Sequence, residues 1–320
     1  MTVALDEMAG SVQLRHIGLA RRDFFRLAAA APLVRWPIPA NPTLDLVESP
    51  TLSALQAELQ LAADRAPGIR SGLAALDMRT GLGTHVNGRR RQAPGCTLNL
   101  LVLLAVAQDL QAGAYPVAEV DTQLLNMVRF SNAVLAHGLL TRAGGGDTMA
   151  GVERVRALAA EVGMRDTVFD HPPAYSWTNS LNHEPNTTTA VDMVTLLSAT
   201  WHERVLDDVW TRYVLEKMTQ VSPGLNYLIP AGLPRDSGAV VGHKNGWFTD
   251  TLGREVDNDV GLVWRDSVHP PVAFAIATLF ESVPANQHIG IARAASGAAW
   301  NHLSQLRPDY AAPGESVEPA

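Results

Sequence analysis

The chain has 320 residues, enough for one large domain or two small ones, and its 47% hydrophobic and 18% charged content is that of a globular protein with a real core. A net charge of −7, with no basic cluster beyond Arg89-Arg90-Arg91, argues against a nucleic-acid surface. One cysteine excludes an intrachain disulfide, and no apolar run is long enough to cross a bilayer.

In chain order, residues 1–50 read as a leader and linker. Ala20-Arg21-Arg22-Asp23-Phe24-Phe25-Arg26-Leu27 pairs arginines ahead of an apolar pair, as a twin-arginine export signal does. Leu27 to Val34 is mildly apolar, and Ile38-Pro39-Ala40 offers a small-residue cleavage site. Arg35 interrupts the apolar stretch, so the competing reading is a basic amphipathic extension that stays attached. Export places the mature protein in the periplasm or outside the cell; the other reading leaves it cytoplasmic.

The folded body is expected over 51–306. Leu52 to Ala63 has helical spacing, with Leu52, Leu55, Leu59 and Leu61 on a broad apolar face. Gly72 to Met78, followed by Arg79-Thr80-Gly81, predicts a strand and hairpin, and the arginine triplet then reads as a solvated hairpin edge. Helices follow at Thr97–Gln111, Thr122–Thr141, Val152–Val162 and Thr189–Trp201, the last after the capping types Asn186-Thr187-Thr188. Gly144-Gly145-Gly146 follows a helix and not a strand, so it reads as helix termination and not as a phosphate loop.

Three β-type runs come next, at 238–244, 258–264 and 271–278, then a closing helix from Ile289 to Leu306. The polar, Pro-rich 307–320 is expected to be disordered. The order of elements predicts an α+β fold: an antiparallel sheet flanked by terminal helices (about 51–95 and 235–306), with an all-α lobe (about 96–234) inserted between strands.

Cys96 opens the long apolar helix. Unsatisfied N–H groups and the positive end of the helix dipole favour a thiolate there, against the plainer reading of a small buried hydrophobe. Ten histidines show no His-Glu-x-x-His and no Cys/His pairing at metal spacing, so neither a metal nor a cofactor is implied. His243, on a strand beside Lys244, reads as a packing or hydrogen-bonding residue, and Trp177, Trp210 and Trp247 as core more readily than pocket.

Three short segments carry the functional reading: Cys96-Thr97-Leu98-Asn99, Phe130-Ser131-Asn132-Ala133 and His243-Lys244-Asn245-Gly246-Trp247. In this order the chain resembles the class A β-lactamase and penicillin-binding superfamily of active-site serine enzymes, with its Ser-x-x-Lys, Ser-Asp-Asn and Lys-Thr-Gly motifs. Met127 to Asn132, Asn186 to Met193 and Asn258 to Val263 extend the likeness, which runs from about residue 52 to 306 and implies a β-lactamase/transpeptidase-like fold.

The resemblance places the family serine at Cys96 and its lysine at Asn99. An amide is no proton acceptor and a serine there would be inert, whereas a thiol needs only a modest fall in pKa, so the two substitutions make sense as a pair. Decay after loss of function explains them too. Ser131 matches the family's proton-relaying serine and Lys244 its neighbouring cation. Ala133 and Asn245 replace a substrate-binding asparagine and a threonine. Asn132, Asn245 and Gly246 remain candidates for the substrate-binding edge, and the backbone N–H groups of Cys96 and Trp247 would form the oxyanion hole. Pro173 stands where a deacylating glutamate would be, Glu184-Pro185 reads as a loop carboxylate, and a short span between Cys96 and Ser131 implies a missing rim.

The resemblance thus implies acyl transfer from an amide, lactam or ester, through a thioester on Cys96, to water or an amine. Its substrate would be a small molecule or peptide with a carbonyl and a carboxylate. The alternatives are a non-catalytic member that binds such a ligand and an ordinary class A β-lactamase working through Ser131.

Overall fold

Strand β2 (Arg70–Asp77) turns back on β3 (Leu82–Val86) because Asp77 accepts the backbone N–H groups of Arg79 and Thr80, each at 2.9 Å, and Gly81 supplies the positive φ that closes the hairpin. This computed structural model describes residues 46–173, 186–249, 255–265, 272–283 and 286–306. The export motif, the rest of the leader to residue 45, Trp177, Glu184-Pro185 and the tail lie outside the described residues. Asp77 and Arg79 pair with no solvent exposure, and Arg79 Nη2 donates to Leu303 O at 2.6 Å, which ties the hairpin to the end of the chain's last helix.

The two-residue β1 (Val47–Glu48) adds in parallel to β3. After the helical lobe the chain returns as β4 (Val240–Thr249), β5 (Glu255–Arg265) and β6 (Val272–Glu281), and β6 pairs antiparallel with β2, Leu73 opposite Thr278. The six-stranded order is β1-β3-β2-β6-β5-β4, so β4 is an edge. Both faces of the sheet are covered. Leu73, Ala75, Val263, Phe274 and Ile276 pack under α1 (Ser53–Ala63) and the C-terminal helix Gln287–Leu303, whereas Ala74, Leu76, Val260, Leu262 and Ala275 face the helical lobe. The period of two sorts each strand between two cores.

The lobe is built around α2 (Asn99–Gln111), whose Leu101, Val102, Leu103, Ala105, Val106 and Ala107 have no solvent exposure, as befits a helix apolar on all sides. Around it lie α3 (Asp121–Arg129), α4 (Ala133–Ala143), α5 (Thr148–Glu161), α6 (Ala190–Trp201) and α7 (Asp208–Thr219); a short α8 (Ile229–Gly232) precedes β4, and Gln287–Leu303 is α9.

Four local expectations change. Leu61 is 65% exposed, and Ala62 completes the buried face of α1 instead. The arginine triplet is solvated but sits in the loop after β3. The helix expected over 122–141 breaks at Ser131, which adopts φ +51°, because Asn132 takes an extended conformation and accepts the Leu135 N–H as the cap of a new helix. At α6 the cap is Thr189, which accepts from Asp192 N; Thr187 and Thr188 form β-bridges to Val168 and Gln92. Gly144-Gly145-Gly146 does end a helix, with positive φ at Gly145 and Gly146.

Candidate active site

Gly95 and Gly246 bring the segment before α2 onto the edge of the sheet. Cys96 lies in a 3₁₀ turn, Gly95–Leu98, held by Thr97 Oγ1 donating to Pro94 O at 2.7 Å. A Cβ on Gly246 would stand 2.4 Å from Cys96 N, and one on Gly95, at φ +55°, would stand 2.6 Å from the Gly246 carbonyl carbon. No side chain fits at either place. The turn therefore meets β4 backbone to backbone, with Trp247 one residue beyond the contact.

Asn258 fixes the same loop from β5. It lies opposite Gly246, is fully buried, donates from Nδ2 to Ala93 O at 2.8 Å and accepts Phe280 N–H on Oδ1 at 2.7 Å. The sequence reading gave Asn258 no role. Its signal was the run Asn258-Asp259 on a β-type stretch, where two consecutive polar side chains on an otherwise buried strand need partners.

Strand alternation points Lys244 toward the helical lobe, on the face of Val260, while His243, Asn245 and Trp247 point toward α9. Lys244 has no solvent exposure; its Nζ contacts Ser131 Oγ and lies 2.5 Å from Asn245 O. Burial lowers its pKa to about 8, against the opposing pull of Cys96 and Asp259. The break between α3 and α4 supplies the third group. Ser131, in the left-handed region, directs its hydroxyl to Asn245 O at 3.0 Å while its own carbonyl accepts from Cys96 Sγ at 3.5 Å.

Cys96, Ser131 and Lys244, separated by 35 and 113 residues of sequence, thus meet at one place. Cys96 as a residue is half-buried. Its protonation differs from the expectation of a favoured thiolate. Burial pushes the Cys96 thiol up, and the charge of Lys244 and the nearby Asn99 side chain offset that only in part. The α-helix proper starts at Asn99, so the sulfur sits ahead of its first turn and desolvation dominates.

The remaining candidates divide. Asn99 is 3% exposed and its Nδ2 has no hydrogen-bond partner among the described residues. Asn245 donates from Nδ2 to Leu225 O at 3.2 Å and its buried Oδ1 is unpaired among the described residues, on the α9 side of the strand. Asn132 is exposed, with Oδ1 occupied by Leu135 N at 3.0 Å. Trp247 is 41% exposed. His243 is buried as a bonding residue, with Nδ1 2.9 Å from Asp259 Oδ1 and Nε2 3.0 Å from Asn226 Oδ1; Asp259 Oδ2 accepts Ile229 N–H at 3.1 Å. Trp210 packs edge-on against Tyr213 beside the lobe's core. Among the described residues no three His, Cys, Asp or Glu side chains gather as metal ligands, and no helix is long and apolar enough to cross a membrane.

The cluster holds a thiol, a hydroxyl in contact with an amine, and the backbone of the edge strand. Known proteins share its scaffold. PBP-A superposes with a TM-score of 0.65 at 20% identity over 82% of this chain and 99% of its own. A class A β-lactamase from Bacteroides cellulosilyticus gives 0.65 at 16% identity over 78% and 98%. A variant of the class A β-lactamase of the last common ancestor of Gram-negative bacteria gives 0.64 at 22% identity over 78% and 99%. These likenesses show the β-lactamase/transpeptidase-like fold. No curated protein sequence matches the chain. The sequence profile of the beta-lactamase enzyme family matches residues 136–303, more than half of the chain and including the Lys244 strand, and the protein belongs to that family.

Proposed function

We propose that this protein is an acyl-transfer member of the family in which Cys96 takes the place of the serine nucleophile. One observation carries the reading: Cys96 Sγ lies 3.5 Å from the carbonyl of Ser131, the residue whose hydroxyl contacts Lys244 Nζ. The thiolate attacks the carbonyl carbon of an amide, lactam or ester, the N–H groups of Cys96 and Trp247 hold the oxyanion, and Ser131 passes a proton to the leaving group. Water or an amine then takes the acyl group from the thioester. Lys244 also supplies positive charge for a substrate carboxylate.

The test is to expose the protein to benzylpenicillin and, separately, to p-nitrophenyl acetate, and to map any acyl adduct by mass spectrometry of its peptides. An adduct on Cys96, absent from Cys96→Ala, supports the proposal. The Ser131–Lys244 contact favours a second reading, serine chemistry at Ser131 with a lysine partner, and an adduct on Ser131 would establish it. No adduct with either reagent would contradict the proposal.

A further inference from the structure

On the α9 side of the edge strand, away from Cys96 and Ser131, the chain between α7 and β4 encloses a cleft of about 510 Å³. That volume falls within the roughly 300–1,000 Å³ of small-molecule sites. Pro230 of α8, Leu233, Ala239 and Val241 supply apolar walls, while Asn226, Arg235 and Arg293 of α9 supply polar ones. Val241 also packs against the core under α9, so one wall of the cleft is β4 itself.

The polar lining is rich in donors. Asn226 Oδ1 is turned to the buried ring of His243, 3.0 Å from Nε2, which leaves the amide donor Nδ2 without a partner among the described residues. Arg293 donates from Nε to Tyr227 O at 3.2 Å, which holds the guanidinium in place, and its two terminal nitrogens have no partner among the described residues. Arg235 makes no hydrogen bond or ion pair among them. The acids on this side of the strands are engaged. Asp259 holds His243 and Ile229 N, and Asp257 accepts from Tyr227 Oη at 2.9 Å and lies 2.6 Å from His288 Nε2. Asp236, next to Arg235 in sequence, does not line the cleft.

We propose that this cleft is a second binding site, for a small organic carboxylate with an apolar body. The guanidinium groups of Arg235 and Arg293 and the amide Nδ2 of Asn226 hold the carboxylate, and the body lies against Pro230, Leu233, Ala239 and Val241. A guanidinium presents its N–H groups as a fork that matches two carboxylate oxygens, and arginine keeps its charge at any working pH. Apolar walls stabilise a ligand that loses hydration from most of its surface, which a bare inorganic anion does not do favourably. The proposal stands apart from the Cys96 chemistry and does not depend on it. Its ligand touches the strand that carries Lys244, on the face opposite the thiol.

The experiment measures affinities on the full chain by saturation-transfer NMR at fixed ionic strength. The probes are 4-phenylbutanoate, the uncharged 4-phenylbutanamide and the cationic 4-phenylbutylamine, with inorganic phosphate as competitor. The carboxylate should bind on the order of 10-fold or more tightly than the amide or the amine, since hydrogen bonds to charged groups are the strong ones. Phosphate at the same concentration should not displace it. Arg235→Gln combined with Arg293→Gln should weaken the carboxylate by a similar factor and leave the amide unchanged; both arginines are exposed, so the fold should tolerate the change. An amide that binds as well as the carboxylate overturns the proposal, because the cleft is then only an apolar groove. So does displacement by phosphate, which makes the apolar walls irrelevant. An unchanged carboxylate affinity in the double variant overturns it too, since the anion then sits elsewhere, as it would beside Lys244. Should the double variant fold poorly, the probe series on the wild type decides alone.

Discussion

Gly246 on the edge strand touches the backbone nitrogen of Cys96 so closely that its Cα has room for hydrogen alone: an added Cβ would lie 2.4 Å from that nitrogen and 2.7 Å from Thr97 N. Both obstacles are backbone, and backbone cannot rotate away as a flexible side chain can. Gly246→Ala should therefore push the Cys96 turn off β4, cost about 1–3 kcal/mol of stability, as overpacking does, and abolish acylation of Cys96. Urea denaturation and adduct formation, measured on the same preparation, check both parts.

Asn258 anchors the loop ahead of Cys96 from β5, beside Glu281, which accepts the Ala93 N–H at 2.5 Å. Asn258→Ala leaves Ala93 O and Phe280 N, the two groups it bonds, without partners, and a buried unsatisfied group costs about 1–3 kcal/mol. Asn258→Asp keeps an acceptor for Phe280 N but loses the donor to Ala93 O. Asn258→Asp should retain the sheet and still acylate more slowly than the wild type, a loss of rate that stability alone does not predict. Thermal unfolding beside single-turnover kinetics separates the two.

Ser131 holds a left-handed φ of +51° while bonding through both its carbonyl and its hydroxyl. A non-glycine residue there bears a strain of about 1–2 kcal/mol. Ser131→Gly should unfold at higher denaturant than Ser131→Ala by roughly that amount, offset in part by the chain entropy of glycine. Both should lose the relay equally. A large difference in acylation between them would mean that the backbone, and not the hydroxyl, does the work.

Lys244 also sets a pH signature. Its pKa is near 8 folded against 10.5 unfolded, so between those values the unfolded chain binds more protons and stability rises with pH, by up to about 3 kcal/mol in total. Cys96 opposes this at the upper end: its folded pKa is raised above 9.0, so above pH 9.0 the unfolded chain loses the proton first and stability falls. The wild type should therefore gain stability from pH 8 to 9. Lys244→Met should lose that gain, and Cys96→Ala should keep it and extend it beyond pH 9. Urea midpoints across pH 7–10 test the sign directly.

Much of the architecture is written in local pattern. The apolar runs of β5 and β6, the all-apolar α2 and the hairpin at Gly81 follow from residue type and spacing, and so does the meeting of the Cys96, Ser131 and Lys244 segments once the likeness to a family is admitted. Other features depend on tertiary partners. The helix break at Ser131 was hidden because Leu124, Met127 and Val128 before it and Ala136, Leu139 and Leu140 after it continue a helical spacing; only the capping preference of Asn132 marks the interruption. The state of the Cys96 thiol was misjudged because helix position is local, whereas the desolvation that outweighs it comes from distant chain packed around the sulfur. Asn258 was overlooked for a like reason, since its partners lie 165 and 22 residues away.

On the proposed chemistry, the fold makes Cys96 a better nucleophile than an ordinary thiol in spite of its burial. The most direct measurement is the rate at which p-nitrophenyl acetate acylates Cys96 at pH 7.5 in the native protein and in the same protein unfolded in urea, each corrected for the reagent's own hydrolysis. With an oxyanion site and a proton carrier in place, the native rate should exceed the unfolded rate by on the order of 10²-fold. A native rate equal to or below the unfolded one would show a thiol merely shielded by the structure and would contradict the account.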